Sequence, residues 1–162
     1  MAQVRRKTAW PQLLRLAIED GGSRPFFWGE HDCCMFACNA IESMTGVDPA
    51  KPFRGRYKTE RGALLALRRY INRDPETGQF DAWEGRDMGA LLTAVAERIT
   101  SKLEMPEIAP LTAQRGDVVL VSTAQGPALA IVDMTGRFAA AAAADGIARI
   151  PLGDTIRAWR VG

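Results

Sequence analysis

Near Met105 the apolar pattern of this chain changes period, and that change limits the folds open to it. Before it, apolar side chains recur at the three-to-four-residue spacing of helix faces; after it they form short β-branched runs between tight turns. Trp10, Leu13, Leu14, Ala17 and Ile18 define a first helix over residues 10–20, with Pro11 suited to the first turn and Gly21-Gly22 expected to stop it. Asp32 is placed to cap a second helix over residues 33–44, closed by Gly46 as a left-handed terminator. Thr59 caps a third, carrying Ala63, Leu64, Leu67, Tyr70 and Ile71. Residues 72–83 hold turn pairs and are expected to form a loop. A fourth helix from about Asp87 aligns Met88, Leu91, Leu92, Val95, Ala96 and Ile99.

Pro106 and Pro110 then interrupt helical periodicity, and five strands are expected over residues 118–121, 127–134, 137–144, 147–150 and 156–161, arranged as a small antiparallel meander. Helix propensity alone would make the alanine run at 139–144 a helix. The turns at Thr135-Gly136 and Asp145-Gly146 leave it only a strand's length. Helices followed by strands predict one α+β domain over residues 1–162, with N-terminal helices packed on a C-terminal antiparallel sheet. Residues 1–8 are expected to be a flexible arm, 9–105 mainly helical and 106–162 mainly strands.

Composition excludes several functions. A formal net charge of +2 does not argue for nucleic acid, and the positive runs Arg5-Arg6-Lys7 and Arg68-Arg69 are read as solvated faces. No stretch approaches the roughly 20 apolar residues of a membrane span, and the N-terminus lacks the apolar core of a cleaved signal peptide. Cys33, Cys34 and Cys38 fall within one short segment, which makes no disulfide framework and points to synthesis in a reducing cytosol.

Cys33 is the residue with chemical promise. A thiol in the first turn of a helix meets the positive end of the helix dipole and unpaired amides, which favour the thiolate. The alternative is a small buried hydrophobe beside an aromatic loop. Cys34 and Cys38 stand four apart on one helical face, a metal-compatible spacing, but no second Cys/His pair follows and core packing is the expected role. Asp81, Glu84 and Asp87 resemble loop and cap chemistry more than a hydrolytic carboxylate pair, and no phosphate-binding glycine loop is found. Neither a cofactor nor a metal is expected.

The stretch Pro25-Phe26-Phe27-Trp28-Gly29-Glu30-His31-Asp32-Cys33, with Phe36-Ala37, resembles the nucleophile region of the NlpC-type papain-like cysteine peptidases, which cleave peptides of bacterial cell walls. Together with Met44-Thr45-Gly46-Val47-Asp48, Gly55-Arg56-Tyr57, Gly116-Asp117-Val118-Val119, Asp145-Gly146-Ile147 and Arg157-Ala158-Trp159-Arg160-Val161, it is similar to small phage and prophage proteins encoded among tail-assembly genes. The Trp-Gly-x-x-Asp-Cys spacing is the most specific part.

That resemblance implies a papain-like fold with Cys33 at the nucleophile position. It also implies a histidine at the start of a facing strand and an orienting polar residue on the next. Those two positions correspond to Ala128 and Ala140 here. The single histidine, His31, sits two residues before Cys33. It is the remaining candidate base, although a loop histidine is more often a hydrogen bonder. The implied function is a degenerate peptidase-like pseudoenzyme serving as a structural docking module of a bacteriophage tail tip or baseplate. It would be made in the host cytoplasm and carried in the virion beside hub, distal tail or tip proteins. The alternatives are an active peptidoglycan peptidase using Cys33 on host cell-wall peptides during genome entry, and a transient assembly factor.

Overall fold

The computed structural model describes residues 3–73 and 87–162. Four helices come first: α1 (Trp10–Ser23), α2 (Cys33–Thr45), α3 (Glu60–Asn72) and α4 (Met88–Lys102). Six strands follow: β1 (Glu107–Ile108), β2 (Val118–Thr123), β3 (Gly126–Val132), β4 (Phe138–Ala143), β5 (Gly146–Pro151) and β6 (Thr155–Trp159). Apart from Asn72, the last residue of α3, and Arg73 after it, the loop expected at 72–83 lies outside the described residues, as do Asp81 and Glu84.

The capping chemistry reads out as local physics demands. Asp32, Thr59 and Asp87 each accept a hydrogen bond from the backbone amide three residues on, and Gly46 ends α2 at φ +81°. The expected stop at Gly21-Gly22 is corrected: α1 runs through both glycines to Ser23, and the chain turns extended at Arg24, just before Pro25. Gly21 is there for closeness. A Cβ on it would sit 2.6 Å from the Phe36 ring of α2 and 3.1 Å from Ile147 of β5.

The sheet is antiparallel throughout, in the order β1-β6-β2-β3-β4-β5. Strands β2 to β5 form the expected meander. The last strand departs from it: β6 returns to the opposite edge of β2 and pairs Val118 with Trp159 and Val119 with Ala158. The two-residue β1, too short to leave a periodic signal, extends that edge. Alternation sorts the strand residues cleanly. Val118, Leu120, Leu129, Ile131 and Trp159 join Leu14 of α1, Ile41 and Met44 of α2 and Ala96 of α4 in one core. Val119, Val121, Ala130, Val132, Ala139, Ala141 and Ala158 pack on the other face with Ala113 and Leu152. The alanine strand β4 forms as expected. Ala140 and Ala142 lie under Phe36, where larger side chains would hold α2 off the sheet.

Residues 3–8 do not behave as a flexible arm. Val4 is buried in the main core, its amide donates to Leu103 O at 3.2 Å, and the Lys7 amide donates to Met44 O at 2.8 Å. Arg6 fastens the two chain ends together: its guanidinium reaches Asp117 at 2.8 Å, Arg115 O at 2.9 Å and Val161 O at 2.5 Å. Among the described residues, no helix is long and apolar enough to cross a membrane.

Candidate functional site around the N-terminus of α2

The segment before α2 folds back on itself. Phe27 and His31 exchange backbone hydrogen bonds at 3.0 and 2.8 Å, and Phe26 meets Trp28 edge-on at 5.0 Å. This turn delivers Asp32 to the helix start, where its fully buried carboxylate accepts three bonds. Oδ1 takes the Met35 amide at 2.8 Å; Oδ2 takes the Gly29 amide at 2.9 Å and the Tyr57 hydroxyl at 2.8 Å. Gly29 holds φ +86°, and a Cβ there would lie 2.1 Å from the Tyr57 carbonyl oxygen. The Gly29 carbonyl in turn accepts from the Gly55 amide at 3.0 Å. The Trp-Gly-x-x-Asp-Cys spacing therefore builds a structural joint between the α2 entry and the 55–57 loop. Burial, then the nearby Cys34 and Asp32, raise the Tyr57 hydroxyl above the usual phenol range, so it stays a donor.

A second joint braces the other side of that loop. Arg54 grips Asp48 through Nε at 2.8 Å and Nη2 at 2.7 Å and donates through Nη1 to Asn39 of α2 at 2.7 Å. At the sheet end, fully buried Asp117 accepts from Arg6, from Arg160 at 3.2 Å, and from the amides of Gln114 at 2.9 Å and Val161 at 3.2 Å. Neither joint is legible in the order of residues along the chain. Their members are up to 111 residues apart, and no local spacing reports such pairs.

Cys33 occupies the first turn of α2, partly buried, in a core cluster with Trp28, Cys34 and Leu64. Strands β3 and β4 pair only at Ile131–Ala140 and Val132–Ala139. The amide of Leu129, beyond that pairing, interacts with the Cys33 sulfur. The expectation of a dipole-lowered thiol is corrected. Burial first, and then the Asp32 carboxylate, push Cys33 up to about 12, outweighing the amides of Cys34, Cys33 and Leu129 that favour the thiolate. The residue that caps the helix also opposes ionisation of the thiol beside it. Cys34 and Cys38 are buried and hydrogen-bonded to each other one turn apart; that bond and burial raise Cys34 well above the usual thiol range. All three cysteines are free, and no grouping of three or more metal-ligating side chains occurs among the described residues.

The other sequence-derived positions do not converge on the sulfur. His31 is buried with its ring edge-on to Phe36 at 6.1 Å, and its surroundings are the end of α1: the Gly21 carbonyl, Asp20 and Arg24. Burial, then the Arg24 charge, lower its pKa. No hydrogen bond joins it to Cys33, and its Nε2 has no partner among the described residues. Ala128 lies with Ala130 and Val132 on the sheet face turned away from the helices, so a side chain at that position does not face α2. The residues of β3 that face the helices are Leu129 and Ile131, with Pro127 against Gly89 of α4. Ala140 does face the helices, beneath Phe36 and opposite Ile131.

Together these features define an α+β domain in which a carboxylate-capped helix presents a neutral thiol towards an antiparallel sheet, with no imidazole beside it. The family model that matches, over residues 5–161, is described as a domain of unknown function (DUF6950), and the chain belongs to that family. No curated protein matches it.

Proposed function

We propose that this domain is a non-catalytic docking module of a bacteriophage tail tip or baseplate, a pseudoenzyme on a papain-like NlpC-type scaffold. On this reading it is carried in the virion against hub, distal tail or tip proteins. The tail setting rests on the sequence resemblance set out above. The observation that carries the non-catalytic part is the setting of Cys33: a thiol packed into the core cluster beside the Asp32 carboxylate, with no base in hydrogen-bond contact among the described residues. A cysteine peptidase must move the thiol proton to a base and return it to the leaving amine, help worth about 10²–10⁴-fold. Burial and the Asp32 charge keep the thiol protonated at neutral pH, so little thiolate is on hand to attack. The buried three-donor joint around Asp32 gives the motif a reason to exist without catalysis, because it fixes the α2 entry.

The competing reading is an active cell-wall cysteine peptidase. Purified protein incubated with peptidoglycan fragments is expected to release no new amines. Release that disappears in Cys33→Ala would end the docking reading in favour of the enzyme. Mass spectrometry of purified particles is expected to find the chain in finished virions. Its absence there would make it an assembly factor.

A further inference from the structure

The cationic run Arg5-Arg6-Lys7 is not a loose solvated tail. Residues 3–8 are laid along the fold beside the C-terminal segment, and a cleft of about 660 Å³ opens between them. Arg5, Arg6, Lys7 and Arg160 line it together with Trp10 and Gln114, and among the described residues no acidic side chain does. Arg115 is exposed close by, its carbonyl accepting from Arg6 and its charge felt there. Five cations from three distant stretches thus gather in and beside one cleft, and two of them, Arg6 and Arg160, already hold the buried Asp117. This concentration stands out in a chain whose whole formal charge is only +2.

We infer that this cleft is a docking site for an acidic peptide segment of a partner protein. Arg5 and Lys7 are exposed, and such cations attract carboxylates and steer their approach. Nucleic acid fits less well. The cationic face is a bounded cleft and not a long stripe that follows a backbone. Trp10, the aromatic ring of its lining among the described residues, already carries the Arg6 guanidinium at 4.2 Å, which leaves that face closed to a base. Arg6 and Arg160 are held rigid by Asp117, so part of the site is organised before anything binds.

The inference rests on the docking reading and deepens it by naming a face and a partner chemistry. The test uses the full chain, a fluorescent hexaglutamate peptide and a labelled oligothymidylate of equal charge, read by anisotropy at low ionic strength. The peptide is expected to bind saturably. Arg5→Glu with Lys7→Glu should weaken it at least ~10-fold, whereas Arg61→Glu with Arg69→Glu, exposed on α3 and changing net charge equally, should weaken it less than ~2-fold. Circular dichroism checks the fold, with Arg5→Gln and Lys7→Gln as the milder pair. Absence of peptide binding, equal losses from both variant pairs, or tighter cleft-dependent binding of the oligonucleotide would each overturn the inference. Failure here with no Cys33-dependent hydrolysis leaves docking to another face; Cys33-dependent hydrolysis sinks the docking reading whatever the cleft binds.

Discussion

Replacing Asp32 with alanine should destabilise the domain by about 3 kcal/mol. The carboxylate is fully buried and accepts from the Met35 amide, the Gly29 amide and the Tyr57 hydroxyl at 2.8–2.9 Å. Loss of the helix cap costs about 1 kcal/mol. The other two donors are left buried without a partner, at about 1–3 kcal/mol each. Relief of a buried negative charge held only by neutral donors offsets part of that sum. The net falls near 3 kcal/mol, a melting shift of about 6–12 °C for a domain of this size. Urea denaturation followed by circular dichroism measures it directly. Tyr57→Phe alone should cost less, and a double-mutant cycle between the two positions should show coupling of about 1 kcal/mol. An Asp32→Ala protein within ~1 kcal/mol of the parent would refute the argument that this motif is retained for the fold.

Four further outcomes follow from the same geometry. Gly29→Ala must adopt φ +86° with its Cβ against the Tyr57 carbonyl; it should lose more than ~3 kcal/mol or fail to accumulate as folded protein. By contrast Gly55→Ala, at φ +69° with open space around it, should cost about 1 kcal/mol in the same denaturation assay. Arg6→Ala removes a cation from the buried Asp117 and one tie between the chain ends, and should cost about 2–4 kcal/mol by chemical denaturation. For Cys33, the folded thiol is raised from 9.0 to about 12, so the native state holds its proton more tightly than the unfolded chain. Its stabilising contribution is therefore complete below about pH 9 and lost as pH climbs towards 12. Site-resolved iodoacetamide labelling should be slow across pH 6–9 and accelerate only in stronger alkali. Rapid labelling of Cys33 at pH 7 would contradict this.

What was legible from the residue order is what local contacts decide. A cap needs only a side-chain oxygen and an amide three residues on, so Asp32, Thr59 and Asp87 announced three helix starts, and Gly46 a helix end. Turns at Thr135-Gly136 and Asp145-Gly146 bounded β4 tightly enough to outweigh the helix propensity of its alanines. What tertiary structure decided involves distance and desolvation. Gly21 looked like a helix stop because its use, the close approach of Phe36 and Ile147, comes from other elements. Placement of β6 on the far edge of β2, and the gathering of Arg6, Arg160 and Asp117, join residues whose separations carry no periodic signal. The strand pleat turned Ala128 away from α2, which no alignment of residue types reveals.

Cys33 shows the division most clearly. Sequence placed it at a helix N-terminus, where dipole and amides favour the thiolate. Folding buried it beside the Asp32 carboxylate, and desolvation with that neighbouring charge outweighs the helix end. Short-range geometry is written along the chain, whereas the electrostatic character of a side chain is set by everything the fold packs around it.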